Sequence, residues 1–134
     1  MAGLTRAAVA RMLTAAKRAA RRAHAPYSGF RVGAAVLDER GRVHPGCNIE
    51  NGSLGLTICA ERNAIARAVC TGAKHVEAVL VFTDTEELTP PCGACLQVIA
   101  EFGKNPVIVL ANAKQTRRHR LNDLLPQRFS LEQH

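Results

Sequence analysis

The sequence predicts a single-domain α/β fold, a three-layer α/β/α sandwich built on a mixed five-stranded sheet. Three observations support this prediction: an amphipathic helical stretch comes first, a β-hairpin follows it, and short apolar runs then alternate with helical patterns. The hairpin gives antiparallel strands and the later strand–helix–strand unit gives parallel ones, so the sheet is mixed and has helices on both faces. With 134 residues, 47% of them hydrophobic, the chain suits one domain over residues 1–134.

The N-terminal segment, residues 1–24, is predicted to form a helix from about Leu4 to His24. Its apolar residues fall in one half of a helical wheel drawn at about 100° per residue, and its six basic residues fall at the edge or in the other half. The helix ends before Pro26, because the residue preceding a proline avoids the α conformation. An Arg-rich, acid-free start also fits an organelle transit peptide. Its direct continuation into the rest of the domain favours a core helix.

The later elements follow from turn chemistry and from apolar runs. Asp38 to Gly41 makes the hairpin turn, Gly72 caps the second helix, and Pro90-Pro91 interrupts the chain before the third. The predicted order is strands 31–37 and 42–46, a loop at 48–56, helix 59–71, strand 76–82, helix 92–102, strand 107–111, a fifth strand at 115–120 and a short helix at 122–125.

The formal charge of +7 comes from 18 basic and 11 acidic residues, which are unevenly placed. No acid precedes Asp38, and a second basic cluster runs from Lys114 to Arg120. We interpret the basic face of the N-terminal helix as solvated surface, with attraction of phosphates as a weaker alternative. With five aromatic residues and no Trp, the chain lacks the stacking residues of a protein that acts on nucleic acid. No apolar run is long enough to span a membrane.

The five cysteines cannot form a complete disulfide framework, because their number is odd. Cys92 and Cys95 form a C-x-x-C pair, Cys59 lies upstream, and two others are isolated, Cys47 and Cys70. This grouping, without a secretory signal, indicates metal-binding or catalytic thiols in a reducing compartment, and we expect the cytoplasm. Cys70 is expected to be a small core residue. The five histidines show no ligand spacing and are expected at the surface or in loops.

The spacing of three cysteines favours a catalytic zinc site. Cys92 and Cys95 are three residues apart at a helix start, so their sulfurs share one face, and Cys59 begins the preceding helix. Helix N-termini stabilise thiolates. Three thiolates around one Zn²⁺ leave its fourth tetrahedral position open for a water, which becomes acidic enough to supply hydroxide near neutral pH.

Two residues that follow Cys59 suit this chemistry. Glu61 is placed to shuttle protons to and from that water without binding the metal. Arg62 is placed to donate hydrogen bonds to thiolate sulfur and so offset the negative charge of three thiolates. A thioredoxin-like redox pair and a structural zinc site also use C-x-x-C. A redox pair does not require Cys59-x-Glu61, and a structural zinc site needs a fourth Cys or His ligand.

Cys59-x-Glu61 followed by Pro91-Cys92-x-x-Cys95 resembles the signature of the zinc-dependent nucleobase deaminases. More specifically, the chain resembles the small homotetrameric cytidine deaminases, the Cys₃ type of the cytidine/deoxycytidylate deaminase family. The segments that carry this resemblance are APYSGFRVGAA (25–35), GCNIEN (46–51), CAER (59–62), PCGAC with Gln97, and more weakly Leu124-Leu125-Pro126 with Phe129.

The resemblance implies a cytidine deaminase-like fold and one Zn²⁺ per subunit, with Glu61 as the catalytic proton shuttle. The implied metal ligands are Cys59, Cys92 and Cys95. The implied reaction is hydrolytic deamination of cytidine and 2′-deoxycytidine to uridine and 2′-deoxyuridine plus ammonia, in pyrimidine salvage.

The resemblance also implies substrate contacts from Phe30, Asn48, Glu50, Ala60 and Phe129. Asn48 and Glu50 would bind the ribose 3′-hydroxyl, and Phe30 would form a wall of the base pocket. Phe129, in a C-terminal segment (121–134) near the subunit interface, would reach a neighbouring subunit's site in a tetramer with shared active sites. For Phe30 and Phe129, ordinary core packing is the alternative.

Two departures from the family pattern bear on the substrate. Leu54 stands where the family often has Tyr, and Leu96 where it commonly has Arg. They leave open a different or modified, antibiotic-like cytosine nucleoside as the substrate. Less favoured alternatives are a deaminase acting on RNA or single-stranded DNA and a non-catalytic zinc-stabilised binding module.

Overall fold

A computed structural model describes residues 3–131, so the predicted segments at 1–2 and 132–134 lie outside the described residues. The elements are, in chain order, α1 (Arg6–Ala20), β1 (Val32–Asp38), β2 (Val43–Cys47), a 3-10 turn (Leu54–Leu56), α2 (Ala60–Cys70), β3 (Val76–Thr83), α3 (Gly93–Phe102), β4 (Val107–Ala111), β5 (Thr116–Arg120) and α4 (Leu121–Leu124). Each predicted element is present, including the fifth strand and the last short helix. None of the helices within residues 3–131 has the length and apolar character needed to span a lipid bilayer.

The sheet has the strand order β2-β1-β3-β4-β5. β3 and β4 run parallel, and all other neighbouring strands run antiparallel. The α3 crossover joins β3 to β4, as two parallel neighbours require. Every residue of β4 and all of β3 except Glu77 is buried, as expected for strands covered on both faces. The predicted mixed sheet is confirmed.

The helices form two layers, one on each face of the sheet. Met12 and Ala16 of α1 lie in one core cluster with Leu80 of β3. Ile99 of α3 lies in the other cluster with Val79, the strand neighbour of Leu80. Successive side chains of a strand point to opposite faces, so these clusters are the two sides of a single sheet. The three-layer sandwich is therefore confirmed.

Two glycines let helices approach the β1–β2 hairpin closely. A Cβ atom at Gly33 would lie 1.9 Å from the carbonyl oxygen of Ala16 in α1. A Cβ atom at Gly46 would lie 2.4 Å from the backbone nitrogen of Ala64 in α2. Because only glycine fits such a backbone approach, these positions fix how deeply each helix packs on the sheet. The position of α2 matters for function because the helix begins at Cys59.

Helix α1 begins and ends where its backbone finds other partners. Thr5 caps its start, since the Thr5 hydroxyl accepts a hydrogen bond from the Ala8 N–H at 3.1 Å. The helix ends at Ala20, before the predicted end at His24. The His24 N–H donates to the Asn48 carbonyl at 3.0 Å, and its own carbonyl accepts from the Glu50 N–H at 2.8 Å. The segment after α1 is therefore fastened to the loop that follows β2.

Two expectations about isolated residues are wrong. Cys70, expected in the core, is exposed. The buried side of α2 consists of positions 60, 61, 64, 65 and 68, and Cys70 lies off this stripe. His44, expected at the surface or in a loop, is 7% exposed within β2. Its burial is accommodated because its ring pairs with the buried carboxylate of Asp38.

Candidate active site

Two helix starts bring three cysteines together beside the sheet. Cys59 is the N-cap of α2, Cys92 is the N-cap of α3, and Cys95 lies in the first turn of α3. Their Sγ atoms all lie within 4.8 Å of one another. The packing of α2 beside α3 produces this cluster from segments that are distant in sequence. The predicted juxtaposition of the three thiols is confirmed.

The geometry of the three thiols fits a zinc ion. Zn–S bonds of about 2.3 Å in tetrahedral geometry place thiolate sulfurs roughly 3.8 Å apart. The three Sγ atoms lie within 4.8 Å of one another, so their spacing is compatible with this value. Cys95 is buried, Cys59 is partly buried and Cys92 is exposed, so the cluster is accessible from the side of Cys92. Three soft sulfur donors with an accessible side make a donor set typical of catalytic zinc.

The thiols of Cys92 and Cys95 have opposite pKa shifts. Burial raises the pKa of Cys92, but hydrogen bonds from the other two thiols and from the N–H groups of Cys95 and Ala94 outweigh burial and lower this pKa. Burial raises the pKa of Cys95, and the nearby charges of Glu61 and Cys59 raise it further. A bound cation would favour all three thiolates, because it would offset this repulsion.

Arg62 lies against the cluster. Its Nη2 donates a hydrogen bond of 3.5 Å to Sγ of Cys59. This bond and the thiols of Cys59 and Cys95 raise the pKa of Arg62, despite the opposing effect of burial. The Nε–H of Arg62 is buried and has no hydrogen-bond partner among the described residues. The predicted contact between the guanidinium and a ligand sulfur is present.

Glu61 is a buried acid beside the metal cluster. Its side chain lies in the first turn of α2, and the residue is 4% exposed. Burial raises the pKa of Glu61. A hydrogen bond from its own backbone N–H and the positive charge of Arg62 lower this pKa, but they offset the effect of burial only in part. The charge of Glu61 in turn raises the pKa of the Cys95 thiol. A carboxyl group with a raised pKa in this position is suited to accept a proton and to release it again.

Residues 48–50 lie beside the segment that leads into α2. Ile49 and Ile58 exchange backbone hydrogen bonds of 2.9 and 3.0 Å. The Asn48 Oδ1 accepts from the Val32 N–H at 2.9 Å, and its Nδ2 donates to the Phe30 carbonyl at 2.8 Å. Asn48 therefore ties this loop to the start of β1 and fixes the backbone of Phe30.

The Glu50 carboxylate organises the segment 27–30. It accepts hydrogen bonds from the N–H groups of Tyr27 and Ser28, at 2.9 and 3.1 Å, and from the Ser28 hydroxyl. That hydroxyl accepts in turn from the Phe30 N–H at 2.9 Å. The hydrogen bond from the Ser28 hydroxyl holds the pKa of Glu50 below its ordinary value. Sequence analysis missed Ser28, although its place in a Pro-Tyr-Ser-Gly turn indicates a hydroxyl that bonds nearby backbone.

Phe30 and Phe129 are 41% and 59% exposed, so neither aromatic ring packs in the core. The backbone of Phe30 is hydrogen-bonded to the Asn48 side chain and, through the Ser28 hydroxyl, connected to the Glu50 carboxylate. Phe129 lies elsewhere, on the side of α3, where its carbonyl accepts a hydrogen bond of 3.0 Å from Nε2 of Gln97. Ala60 is fully buried at the start of α2.

The two positions that depart from the family pattern differ in exposure. Leu54 is 74% exposed in the 3-10 turn. Leu96 is 8% exposed and packs in the core cluster between the sheet and the α2–α3 layer.

Asn63 is a second residue that sequence analysis missed. Its Nδ2 donates to the Cys47 carbonyl in β2 at 2.8 Å, and its N–H donates to the Cys59 carbonyl at 3.1 Å. The first turn of α2 is thereby fastened to the hairpin. An amide side chain four residues after a helix cap is too common a pattern to reveal this role. Cys47 takes part through its backbone and is not one of the clustered thiols.

Comparison with known proteins agrees with this geometry. A family model for the "cytidine and deoxycytidylate deaminase zinc-binding region" matches residues 7–111. A cytidine deaminase of Sporosarcina psychrophila is 44% identical over 126 residues, which cover 92% of this chain and 93% of that protein. A cytidine deaminase of Mycobacterium tuberculosis is 41% identical over 117 residues, which cover 87% of this chain and 86% of that protein.

The fold is similar as well. The crystal structure of a cytidine deaminase from Burkholderia pseudomallei superposes with a TM-score of 0.85 and 43% identity, covering 90% of this chain and 98% of that one. The match of the family model over most of the chain, together with the three-cysteine cluster, decides the assignment. The chain belongs to the cytidine and deoxycytidylate deaminase family.

Proposed function

We propose that the chain is a zinc-dependent hydrolase that deaminates cytidine and 2′-deoxycytidine to uridine and 2′-deoxyuridine, with release of ammonia. The observation that carries this proposal is the buried carboxylate of Glu61 next to three clustered thiols. Similarity to cytidine deaminases over about nine-tenths of the chain supports the choice of substrate.

The residues that would hold the metal are Cys59, Cys92 and Cys95. When bound there, Zn²⁺ would supply Lewis acidity, lowering the pKa of a water molecule toward neutrality. The Arg62 guanidinium, bonded to Sγ of Cys59, keeps part of the thiolate charge neutralised. That compensation matters because three thiolates would otherwise leave a net negative centre.

Glu61 moves the protons. It takes one from the attacking water and delivers it to N3 of the pyrimidine ring as the water oxygen adds to C4. It then takes the second proton and transfers it to the departing amino group, so the C4–N4 bond breaks and ammonia leaves. The low exposure of Glu61 keeps bulk water from competing for these protons.

The nucleoside would be held by Phe30, Asn48, Glu50 and Ala60. The anionic Glu50 would accept a hydrogen bond from a ribose hydroxyl, which distinguishes a nucleoside from the free base. Asn48 would join this contact while it holds the loop on β1. The exposed ring of Phe30, fixed through its backbone to Asn48, would form a wall of the base pocket.

The active form is proposed to be a homotetramer with one Zn²⁺ per subunit. The loop 49–58 exposes four large apolar side chains, which would otherwise face water: Ile49, Leu54, Leu56 and Ile58. In this assembly the described part of the C-terminal segment, residues 121–131, would lie near the interface, and Phe129 would reach the site of a neighbouring subunit. The three thiols must stay reduced to bind a metal, which supports a location in the cytoplasm. The proposed pathway is pyrimidine salvage.

The decisive experiment compares Glu61→Gln with wild type. The variant should retain zinc yet lose nearly all cytidine turnover, measured by ultraviolet absorbance. Glu77→Gln, at an exposed position of β3, is the matched control and should behave as wild type. Near wild-type turnover by Glu61→Gln would contradict the proton-shuttle assignment.

The exposed Leu54 makes a substrate comparison informative. We expect kcat/KM to be higher for cytidine and deoxycytidine than for cytosine or dCMP. A modified cytosine nucleoside as the better substrate would favour the alternative in which Leu54 alters specificity. Full zinc occupancy with no deamination of any nucleoside would instead indicate a non-catalytic zinc module.

A further inference from the structure

One arginine near the C-terminus holds the end of α3. The Nη1 group of Arg128 donates to the carbonyls of Ala100 and Gly103 at 3.2 and 3.0 Å. Its Nη2 group donates to the carbonyl of Lys104 and, at 2.8 Å, to Oδ1 of Asn122. Each terminal nitrogen of a guanidinium carries two N–H groups, so all four are engaged.

These contacts satisfy a need that α3 does not meet by itself. The last carbonyls of a helix lack partners within the helix and carry a partial negative charge. The last turn of α3 contains no basic residue. Arg128 supplies both the hydrogen bonds and the positive charge from a distant part of the chain. It also links this helix end to α4 through Asn122.

The next residue is held on the same helix. The Phe129 carbonyl accepts a hydrogen bond from Nε2 of Gln97, which lies three residues before Ala100 in α3 and therefore on a neighbouring part of the same helix face. Residues 128 and 129 are therefore attached at two places along α3, Arg128 through its side chain and Phe129 through its backbone carbonyl. That helix starts at Cys92 in the metal cluster. The ring of Phe129 remains 59% exposed.

We propose that Arg128 is a positioning residue, which fixes the backbone from which Phe129 is presented to the active site of a neighbouring subunit. This inference rests on the proposed function, in which Phe129 contacts the substrate of that neighbour. A lysine cannot replace Arg128 fully, because an ammonium is a point charge whose three donors cannot span four separated acceptors.

The experiment uses zinc-loaded, full-length protein and a double-mutant cycle. The variants are Arg128→Gln, Arg128→Lys, Phe129→Ala and the double variant Arg128→Gln/Phe129→Ala. Arg117→Gln, at an exposed position of β5, is a control with the same change of charge. For each protein, kcat and KM for cytidine are measured with zinc content, and hydrogen exchange is measured by mass spectrometry over residues 125–131.

We expect Arg128→Gln and Phe129→Ala each to raise KM by about fivefold and to change kcat by less than about twofold. The double variant should resemble Phe129→Ala alone, because two residues that act through one contact are not additive. Arg128→Lys should lie between wild type and Arg128→Gln, and it replaces that variant if Arg128→Gln fails to fold. Exchange over residues 125–131 should accelerate in Arg128→Gln and stay unchanged in Arg117→Gln.

Effects on KM that multiply in the double variant would overturn the proposal, as would unchanged exchange in Arg128→Gln. A wild-type KM for Phe129→Ala would overturn the substrate role of Phe129 and this proposal with it, while deamination by the wild-type chain would stand. If the wild-type chain deaminates no nucleoside, the proposed function fails, and the exchange measurement alone decides whether Arg128 fixes the segment.

Discussion

Nε2 of His44 lies 2.8 Å from Oδ2 of Asp38, and these side chains are 8% and 2% exposed. The other carboxylate oxygen accepts from the N–H groups of Arg40 and Arg42, which closes the turn between β1 and β2. Nδ1 of His44 lies 3.4 Å from the hydroxyl of Thr71, the C-cap of α2. The pair therefore joins the hairpin to the helix that begins at the metal cluster.

The carboxylate of this pair should stabilise the protein in a pH-dependent way. Burial raises the pKa of Asp38, but hydrogen bonds from His44 and from the backbone of Arg42 and Arg40 outweigh it, so the pKa is lowered. A group with a depressed folded pKa stabilises the protein above its unfolded pKa, about 3.9, and this contribution is lost as pH falls through the folded pKa. Asp38→Asn should therefore cost roughly 1–3 kcal/mol at pH 5, and the deficit should shrink toward pH 3.

Urea unfolding of wild type and Asp38→Asn at pH 5 and pH 3 checks this prediction. Taking the difference at each pH removes the effect of pH on metal binding, which both proteins share. Asp84→Asn, in an exposed loop, is the control and should change stability little. A deficit that is equal at the two pH values would contradict the assignment.

The elements were predictable because their causes are local, and so were the helix starts at which the three clustered cysteines lie. Each of the three clustered cysteines lies at a helix start that short-range spacing reveals, and the mixed sheet follows from one hairpin and one crossover. The buried strands β3 and β4 are continuous apolar runs. Each of these patterns lies within one continuous stretch of the chain, so a single sequence contains it.

The contacts that hold the site in place were not predictable, because neither partner in each contact belongs to a recognisable sequence motif. His44 pairs with Asp38 across a turn, and neither residue has a ligand or catalytic spacing. Arg128 binds the end of α3 from 25 or more positions away. An arginine that only faces solvent and an arginine that binds a helix end look the same in the sequence. Only the folded structure distinguishes them. The early end of α1 has the same origin, since backbone bonds from His24 to a distant loop replace helical ones.

After removal of the metal, the thiols of Cys92 and Cys95 should react with an alkylating reagent at different rates. Reactivity follows exposure and a low pKa, and Cys92 is exposed with a lowered pKa while Cys95 is buried with a raised one. After treatment with a strong chelator, iodoacetamide should modify Cys92 before Cys95. Peptide mass mapping over time measures the order, with the exposed Cys70 reporting reaction outside the cluster. Bound zinc should protect Cys92 and Cys95 from modification, and faster modification of Cys95 than of Cys92 after chelation would contradict this prediction.

Loss of the Arg62 guanidinium should weaken metal binding. Its bond to Sγ of Cys59 offsets thiolate charge and orients that ligand, and loss of such contacts typically lowers metal affinity by about 10- to 100-fold. Arg62→Ala should therefore show reduced zinc affinity in competition with a chromophoric chelator. Arg67→Ala, at an exposed position of the same helix, removes the same charge and should retain wild-type affinity. Equal affinities for the two variants would mean that Arg62 does not support the metal site.

The distance between α2 and the hairpin should control catalysis through Gly46. A methyl group at this position would lie 2.4 Å from the Ala64 nitrogen and 2.6 Å from the Ala60 carbonyl, both rigid backbone atoms. The helix would have to move away from β2, and Cys59 with it, while the two thiols on α3 stay in place.

Gly46→Ala should therefore destabilise the protein by about 1–3 kcal/mol, the usual cost of overpacking, and lower both zinc affinity and kcat. Thermal unfolding, metal content and cytidine turnover measure these effects. Gly3→Ala is the control, because a methyl group there meets nothing within 4 Å. Since Gly46 is not among the residues proposed to bind metal or substrate, a loss of kcat in the folded, zinc-loaded variant would indicate displacement of α2. A variant that is destabilised but keeps wild-type kcat and zinc affinity would show that the site tolerates a shift of this helix.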